Sequence, residues 1–121
     1  MTEPVLLAED ELFIALDLQA TIEDAGFPVE GPCTTLVETQ ETIDRSGAAF
    51  TAAVLDVRLA DNTIFAAADR LYQAGVPIIF HSGHADEAEI GTRYPTARVC
   101  PKPSAPGDLI AALRQCAARR A

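Results

Sequence analysis

The sequence predicts an α/β sandwich, a parallel five-stranded sheet with helices on both faces. Short apolar runs recur along the chain, with stretches of helical apolar spacing between them, and this alternation argues for parallel strands joined by covering helices. The runs are continuously apolar: Val5-Leu6-Leu7-Ala8, Ala52-Ala53-Val54-Leu55 and Val76-Pro77-Ile78-Ile79-Phe80. Strands buried on both faces look like this, whereas half-exposed strands alternate. The chain has no Trp, and most of its apolar mass is Ala, Val, Leu and Ile, which suits helices packed on buried strands.

Strand one is expected at Val5 to Ala8 and helix one at Glu11 to Ala25, where Ala15, Leu18, Ile22 and Ala25 repeat at helical spacing and Gly26 suits the stop. A weaker second strand spans Pro28 to Pro32, followed by a helix from Thr34 to Arg45 that Ser46-Gly47 ends. Strand three is Ala52 to Leu55, and helix three, Asn62 to Ala74, ends at Gly75. Strand four is Pro77 to Phe80. A short fourth helix spans Asp86 to Arg93, although Gly91 weakens it. Strand five is Ala97 to Cys100. Helix five runs from Pro106, which fits a first helical turn, to Ala118, with Leu109, Leu113 and Cys116 on one face. Five βα units most commonly adopt the flavodoxin-like (βα)5 strand order 2-1-3-4-5.

A length of 121 residues is that of one domain, so residues 1–121 read as a single unit. At 49% hydrophobic residues the chain can bury roughly two-thirds of its unfolded surface. The formal charge of −9 repels phosphate backbones and argues against direct nucleic-acid binding. Cys33, Cys100 and Cys116 are odd in number and irregular in spacing, giving neither a disulfide framework nor a zinc pattern; buried reduced thiols are expected. There is no basic segment followed by an apolar stretch at the N-terminus, and no apolar run approaches the ~20 residues that span a bilayer, so the expected location is the cytoplasm.

The chemistry lies where the strands end. Strand one runs into Glu9-Asp10, strand three into Asp56 and strand four into His81-Ser82-Gly83, while strand five leads to Pro101-Lys102-Pro103, which holds the only lysine. In an open parallel sheet the carboxyl ends lie on one edge, where ligand sites form. Three acids, a hydroxyl and an ammonium then converge, a set that suits a divalent metal and a phosphoryl group. Glu9, Asp10 and Asp56 are oxygen ligands of the kind magnesium takes. Asp56 suits a nucleophile that attacks phosphorus, Ser82 a donor to a phosphoryl oxygen, and Lys102 a compact charge bridging a carboxylate and an incoming phosphoryl group. Taken alone, the acid pair is better explained by a solvated helix start and Ser82 by a Ser-Gly turn, and a strand-end cap explains Asp56 equally well; together with Glu9-Asp10, the nucleophile reading of Asp56 prevails. His81 and His84 have no Cys or His at a ligand spacing, which argues against zinc.

These residues, in this order, resemble the receiver domain of two-component response regulators over essentially the whole chain. In that family an acid pair after strand one and a phosphorylated Asp after strand three hold magnesium. A Ser or Thr after strand four and a Lys-Pro after strand five complete the site. The resemblance implies that Asp10 binds magnesium directly and Glu9 mainly through water. It implies that Asp56 binds the ion and accepts the phosphoryl group, that the backbone carbonyl of Arg58 is a further ligand, and that Ser82 and Lys102 hold phosphoryl oxygens. The stretch from Pro77 to His84 is also similar to a subgroup of stand-alone regulators whose signature is Phe-Ala-Thr-Gly followed by Gly or Tyr (FATGUY-like), with His81 for the Ala and Ser82 for the Thr. The implied phosphodonor is a sensor histidine kinase, of the HWE type for that subgroup, or a histidine phosphotransferase in a bacterial phosphorelay. A downstream protein target is implied but not identified.

The chain departs from the family pattern in three places. Val99 stands where most receivers carry a switching Tyr or Phe, three residues before the lysine. Arg58 stands two residues after the acceptor, where Asn or Met is common. Leu59-Ala60-Asp61 replaces a common Leu-Pro. Arg58 either covers the phosphoryl position or points to solvent and pairs with Asp61. Two functions compete with this reading: a receiver-fold binding module that works without phosphorylation, and an aspartyl-nucleophile phosphatase. The first is marked by loss of an acid or the lysine, and all are present. The second wants an acid where Arg58 stands.

Overall fold

The computed structural model describes residues 3–83, 86–102 and 105–120. The elements alternate as expected: β1 (Val5–Ala8), α1 (Leu12–Asp24), β2 (Val29–Cys33), α2 (Leu36–Ser46), β3 (Ala52–Leu55), α3 (Phe65–Gln73), β4 (Ile78–Ser82), α4 (Glu87–Arg93), β5 (Arg98–Pro101) and α5 (Pro106–Arg120). The sheet is parallel throughout, in the order β2-β1-β3-β4-β5. This is the flavodoxin-like doubly wound arrangement. Among the described residues no helix is long and apolar enough to cross a membrane.

Strand alternation divides the core in two. Leu6, Ala8, Ala53, Leu55, Ile78 and Phe80 face Ile43 of α2, Ala67, Ala68 and Leu71 of α3, and Ile90 and Tyr94 at α4. Val5, Leu7, Ala52, Val54, Ile79 and Cys100 face Leu18 and Ile22 of α1 and Leu109, Ala112, Leu113 and Cys116 of α5. All three cysteines are buried free thiols, and burial pushes each above the ordinary thiol range.

Two element boundaries differ from the sequence expectation in ways that bear on the site. Helix α3 begins at Phe65 rather than Asn62 because the preceding segment spends its backbone groups on a local loop. In that loop Leu59 N donates to the Asn62 carbonyl at 2.9 Å, Ile64 N to the Val57 carbonyl at 2.8 Å, and Arg58 pairs with Thr63 in an isolated antiparallel bridge. Strand β4 runs on through His81 and Ser82, beyond Phe80, because these residues pair with Cys100 and Pro101 of β5. Gly91 does not break α4, whose Ile90 anchors it in the core.

Edge strand β2 carries Pro32, a residue that such edges tolerate. Its register against β1 shifts between Leu6 and Ala8. At this shift Gly31 has φ +110°, and an added Cβ would come within 2.5 Å of the Leu7 carbonyl oxygen, so only glycine fits. The shift sets Cys33 beside Ala8 and lets the Cys33 carbonyl accept from Glu9 N at 2.9 Å. The first acid of the site is thereby tied to the sheet edge.

Candidate functional site

The same alternation that sorts the core sorts the chemistry. Glu9 continues the series of Val5 and Leu7, Asp56 that of Ala52 and Val54, His81 follows Ile79, and Lys102 follows Cys100. All four therefore leave the sheet edge on the face covered by α1 and α5. Ser82 continues Ile78 and Phe80 on the other face.

Lys102 draws the group together. Its Nζ lies 2.9 Å from Asp56 Oδ2 and 3.4 Å from Glu9 Oε2. Its backbone N donates to the Ser82 carbonyl at 3.0 Å, which fixes the loop that carries it. Glu9 is fully buried and Asp56 is 7% exposed. Glu9 Oε1 accepts from Glu11 N at 3.2 Å at the start of α1, and Glu9 Oε2 faces His81 Nδ1 at 3.9 Å. Asp56 Oδ1 accepts a long hydrogen bond, 3.4 Å, from Arg58 N.

Burial raises the Asp56 carboxyl, and the neighbouring charge of Glu9 adds to this; Lys102 opposes them but does not cancel them, so Asp56 stands above the usual aspartate range. Burial would also raise Glu9, yet the His81 side chain, the Glu11 N–H and the Lys102 ammonium outweigh it and hold Glu9 below its ordinary value. Burial alone would depress the Lys102 ammonium, but the two carboxylates outweigh it, and Lys102 is raised. The lysine thus stays charged, and between the two acids Glu9 is the more firmly ionised.

Asp10, exposed, completes a carboxylate corner. One oxygen each from Glu9, Asp10 and Asp56 lie within 4.8 Å of one another. Hard oxygen donors, two walled in and one open to solvent, fit a small hard cation such as magnesium, which takes a few carboxylates and keeps several waters. Three carboxylates this close repel one another, which a divalent ion relieves.

The Ser82 hydroxyl is buried and donates to the Gly83 carbonyl at 3.1 Å. Arg58 extends outward, with its side chain 72% exposed, and pairs with Asp86 at the start of α4 at 3.3 Å. It does not pair with Asp61, which caps α2 instead. Val99 is half-buried and packs in the α2–α3–α4 core, where Tyr94 supplies the ring. His84 and Pro103, and with Pro103 the geometry of the Lys102–Pro103 bond, lie outside the described residues.

Sequence reasoning grouped Glu9, Asp10, Asp56, Ser82 and Lys102 at one sheet edge but gave His81 no part. The signal available was its parity: two residues after Ile79, it shares a face with the acids. The Arg58–Asp86 pair had no sequence signal, because it joins two loops far apart in the chain.

No family model matches the chain. It is similar to the phyllosphere-induced regulator PhyR of Methylorubrum extorquens, 31% identical over 117 residues. That match covers 95% of this chain and 43% of PhyR, so the chain spans less than half the length of that relative. A response regulator receiver protein from Sinorhizobium medicae superposes with a TM-score of 0.87 at 29% identity, covering 99% of this chain and 98% of the other. The receiver domain of PhyR from Erythrobacter litoralis superposes with a TM-score of 0.80 at 25% identity, covering 95% and 89%.

Proposed function

Because the chain is a receiver domain of the response-regulator family, we propose that it accepts a phosphoryl group on Asp56 from a histidine kinase or a histidine phosphotransferase, in a magnesium-dependent phosphorelay. The observation that carries this reading is the shared lysine: Lys102 Nζ lies between Asp56 and Glu9, beside a three-carboxylate corner at the sheet edge. A structural ion pair needs one acid; a lysine between two acids, with a third close by, suits a site that handles added negative charge.

In the proposed reaction an Asp56 carboxylate oxygen attacks the phosphorus of a phosphohistidine. The O–P bond forms as the N–P bond breaks, and the electron pair leaves on the imidazole, which takes a proton from solvent. Lys102 follows the charge from the Asp56 carboxylate to a phosphoryl oxygen, its cationic state secured by Glu9. The Ser82 hydroxyl turns from the Gly83 carbonyl to donate to a second phosphoryl oxygen. Glu9, Asp10, Asp56 and the backbone carbonyl of Arg58 would hold magnesium, which when bound neutralises charge in the transition state.

Leu12, Phe13 and Leu16 of α1, which follow the acid pair, are exposed. They offer an apolar surface for the phosphodonor beside the acceptor, and Val37 of α2 is exposed as well. A stand-alone role, a kinase of the HWE type and action in the cytoplasm belong to the same proposal, as does a downstream protein that reads the phosphorylated state. The chain's charge of −9 weighs against DNA as the target.

The test is labelling with acetyl phosphate and magnesium, followed by peptide mass spectrometry. One phosphoryl group is expected on Asp56 and none in Asp56→Asn. Wild-type labelling of Asp56→Asn at another residue would overturn the assignment.

A further inference from the structure

His81 is 3% exposed at the end of β4, in a strand otherwise composed of Ile78, Ile79, Phe80 and Ser82. An apolar side chain would fill the same space, so packing alone gives no reason for an imidazole. The ring faces a carboxylate. His81 Nδ1 is 3.9 Å from Glu9 Oε2, and Lys102 Nζ is 3.4 Å from that same oxygen. The other oxygen, Oε1, accepts from Glu11 N. The fully buried Glu9 carboxylate is therefore flanked by the α1 start, the β4 imidazole and the Lys102 ammonium. A buried carboxylate is costly unless such partners surround it.

We propose that His81 is a positioning residue for phosphoryl transfer to Asp56, acting through Glu9. This deepens the phosphoacceptor reading and rests on it. The imidazole, 3.9 Å from Oε2, closes off the β4 side of Glu9. The carboxylate then keeps its orientation toward the ion corner and shares Lys102 with Asp56. Without the imidazole, Lys102 Nζ at 3.4 Å is the cation left beside Glu9 Oε2 with nothing opposite it on the β4 side. The ammonium is drawn toward Glu9 and away from Asp56, and the acid turns out of the corner it forms with Asp10. Two properties should suffer together, magnesium affinity and the alignment of Lys102 on Asp56. Neither effect requires His81 to touch the ion or the phosphoryl group.

The experiment is a magnesium titration followed by the amide resonances of Asp10 and Asp56, with acetyl-phosphate labelling in parallel. The proteins are wild type, His81→Phe, His81→Gln, Glu9→Gln and the double variant Glu9→Gln/His81→Phe. His81→Phe is expected to weaken magnesium binding by about tenfold or more, as loss of a residue that orients a ligand does. It should also slow labelling at saturating magnesium. His81→Gln, which keeps an N–H donor, should recover most of both. In the Glu9→Gln background His81→Phe should add little, because its effect runs through that carboxylate. If the Phe variant does not fold, His81→Leu carries the same comparison. Magnesium affinity within about twofold of wild type in the apolar variant, or losses that simply add in the Glu9→Gln background, would overturn the proposal. Failure of the wild type itself to bind magnesium and label Asp56 would instead remove the phosphoacceptor reading.

Discussion

Asp61 caps helix α2 from the loop after β3: its Oδ1 accepts from Leu36 N at 2.6 Å, and its Oδ2 accepts from Val37 N at 3.3 Å. Ala60 N adds a bond to the Thr34 carbonyl at 3.3 Å. The loop after Asp56 is thus fastened to the start of α2, alongside the cap that Thr35 gives Glu38 N. Asp61 lies five residues after Asp56, so the backbone after Asp56 is coupled to the start of α2 through this cap.

Asp61→Ala should lower the melting temperature, and the loss should depend on pH. The Leu36 N–H, assisted by that of Val37, holds the Asp61 carboxyl below the usual aspartate range, against a smaller opposing effect of desolvation. A depressed carboxyl stabilises the fold above its unfolded pKa, and that stabilisation is lost as pH falls through the folded value. The gap between wild type and Asp61→Ala should be full above about pH 5 and close as pH falls below about 4. Thermal melts across that range measure it; a gap constant with pH would show that the carboxylate charge plays no part in the cap.

Tyr94 does the corresponding work between α4 and α3. Its hydroxyl donates to Asp69 Oδ1 at 2.5 Å, and its ring packs on Phe80, Phe65 and Tyr72. Arg93 pairs with the same Asp69 and lies over the Phe65 ring. Tyr94→Phe should cost about 1 kcal/mol at neutral pH, as a lost side-chain hydrogen bond does. Burial, then Asp69, pushes the Tyr94 hydroxyl well above the ordinary range. A raised group stabilises the fold below its unfolded pKa, and that stabilisation is lost as pH rises further. The difference between wild type and Tyr94→Phe should therefore shrink above about pH 10. Denaturant titrations at neutral and alkaline pH make the comparison.

Magnesium should stabilise the folded chain. The carboxylate corner exists only when β1 and β3 are paired, so magnesium held there should favour the native state, by about 2.7 kcal/mol at a hundredfold excess over its dissociation constant. The melting temperature of wild type should rise with magnesium, and that of Asp10→Asn should barely respond. Equal shifts in both would count against Asp10 as a ligand.

The Arg58–Asp86 pair joins the loop after β3 to the start of α4. A phosphoryl group on Asp56 adds a charge of about −2 and competes with Asp86 for the guanidinium. Arg58, once drawn in, would shield the phosphorus from water. Arg58→Ala should shorten the lifetime of the phosphorylated protein, and Asp86→Ala, which releases Arg58, should lengthen it. Radiolabel decay measures both; a lifetime unchanged or lengthened in Arg58→Ala would show that the guanidinium does not shield.

What could be read from the sequence is what depends on neighbouring residues and on the handedness of the chain. Apolar runs at Val5–Ala8 and Ala52–Leu55 were visible as strands because strands buried on both faces carry no polar residue, and their bounds agree with the structure. Given parallel strands, the carboxyl ends must share an edge, so the sequence alone groups Glu9, Asp10, Asp56, Ser82 and Lys102. Tertiary structure alone decided how those residues divide the work. Lys102 lies between two acids rather than on one because β1 and β3 are neighbours in the sheet. His81 meets Glu9 because β4 runs two residues longer than its apolar run, an extension set by pairing with β5. Asp61 caps α2 rather than pairing with Arg58, and Arg58 reaches Asp86, because the loop after β3 folds on itself and delays α3 to Phe65. These contacts join residues far apart in the chain, and local propensity carries no information about which distant group a loop side chain will meet.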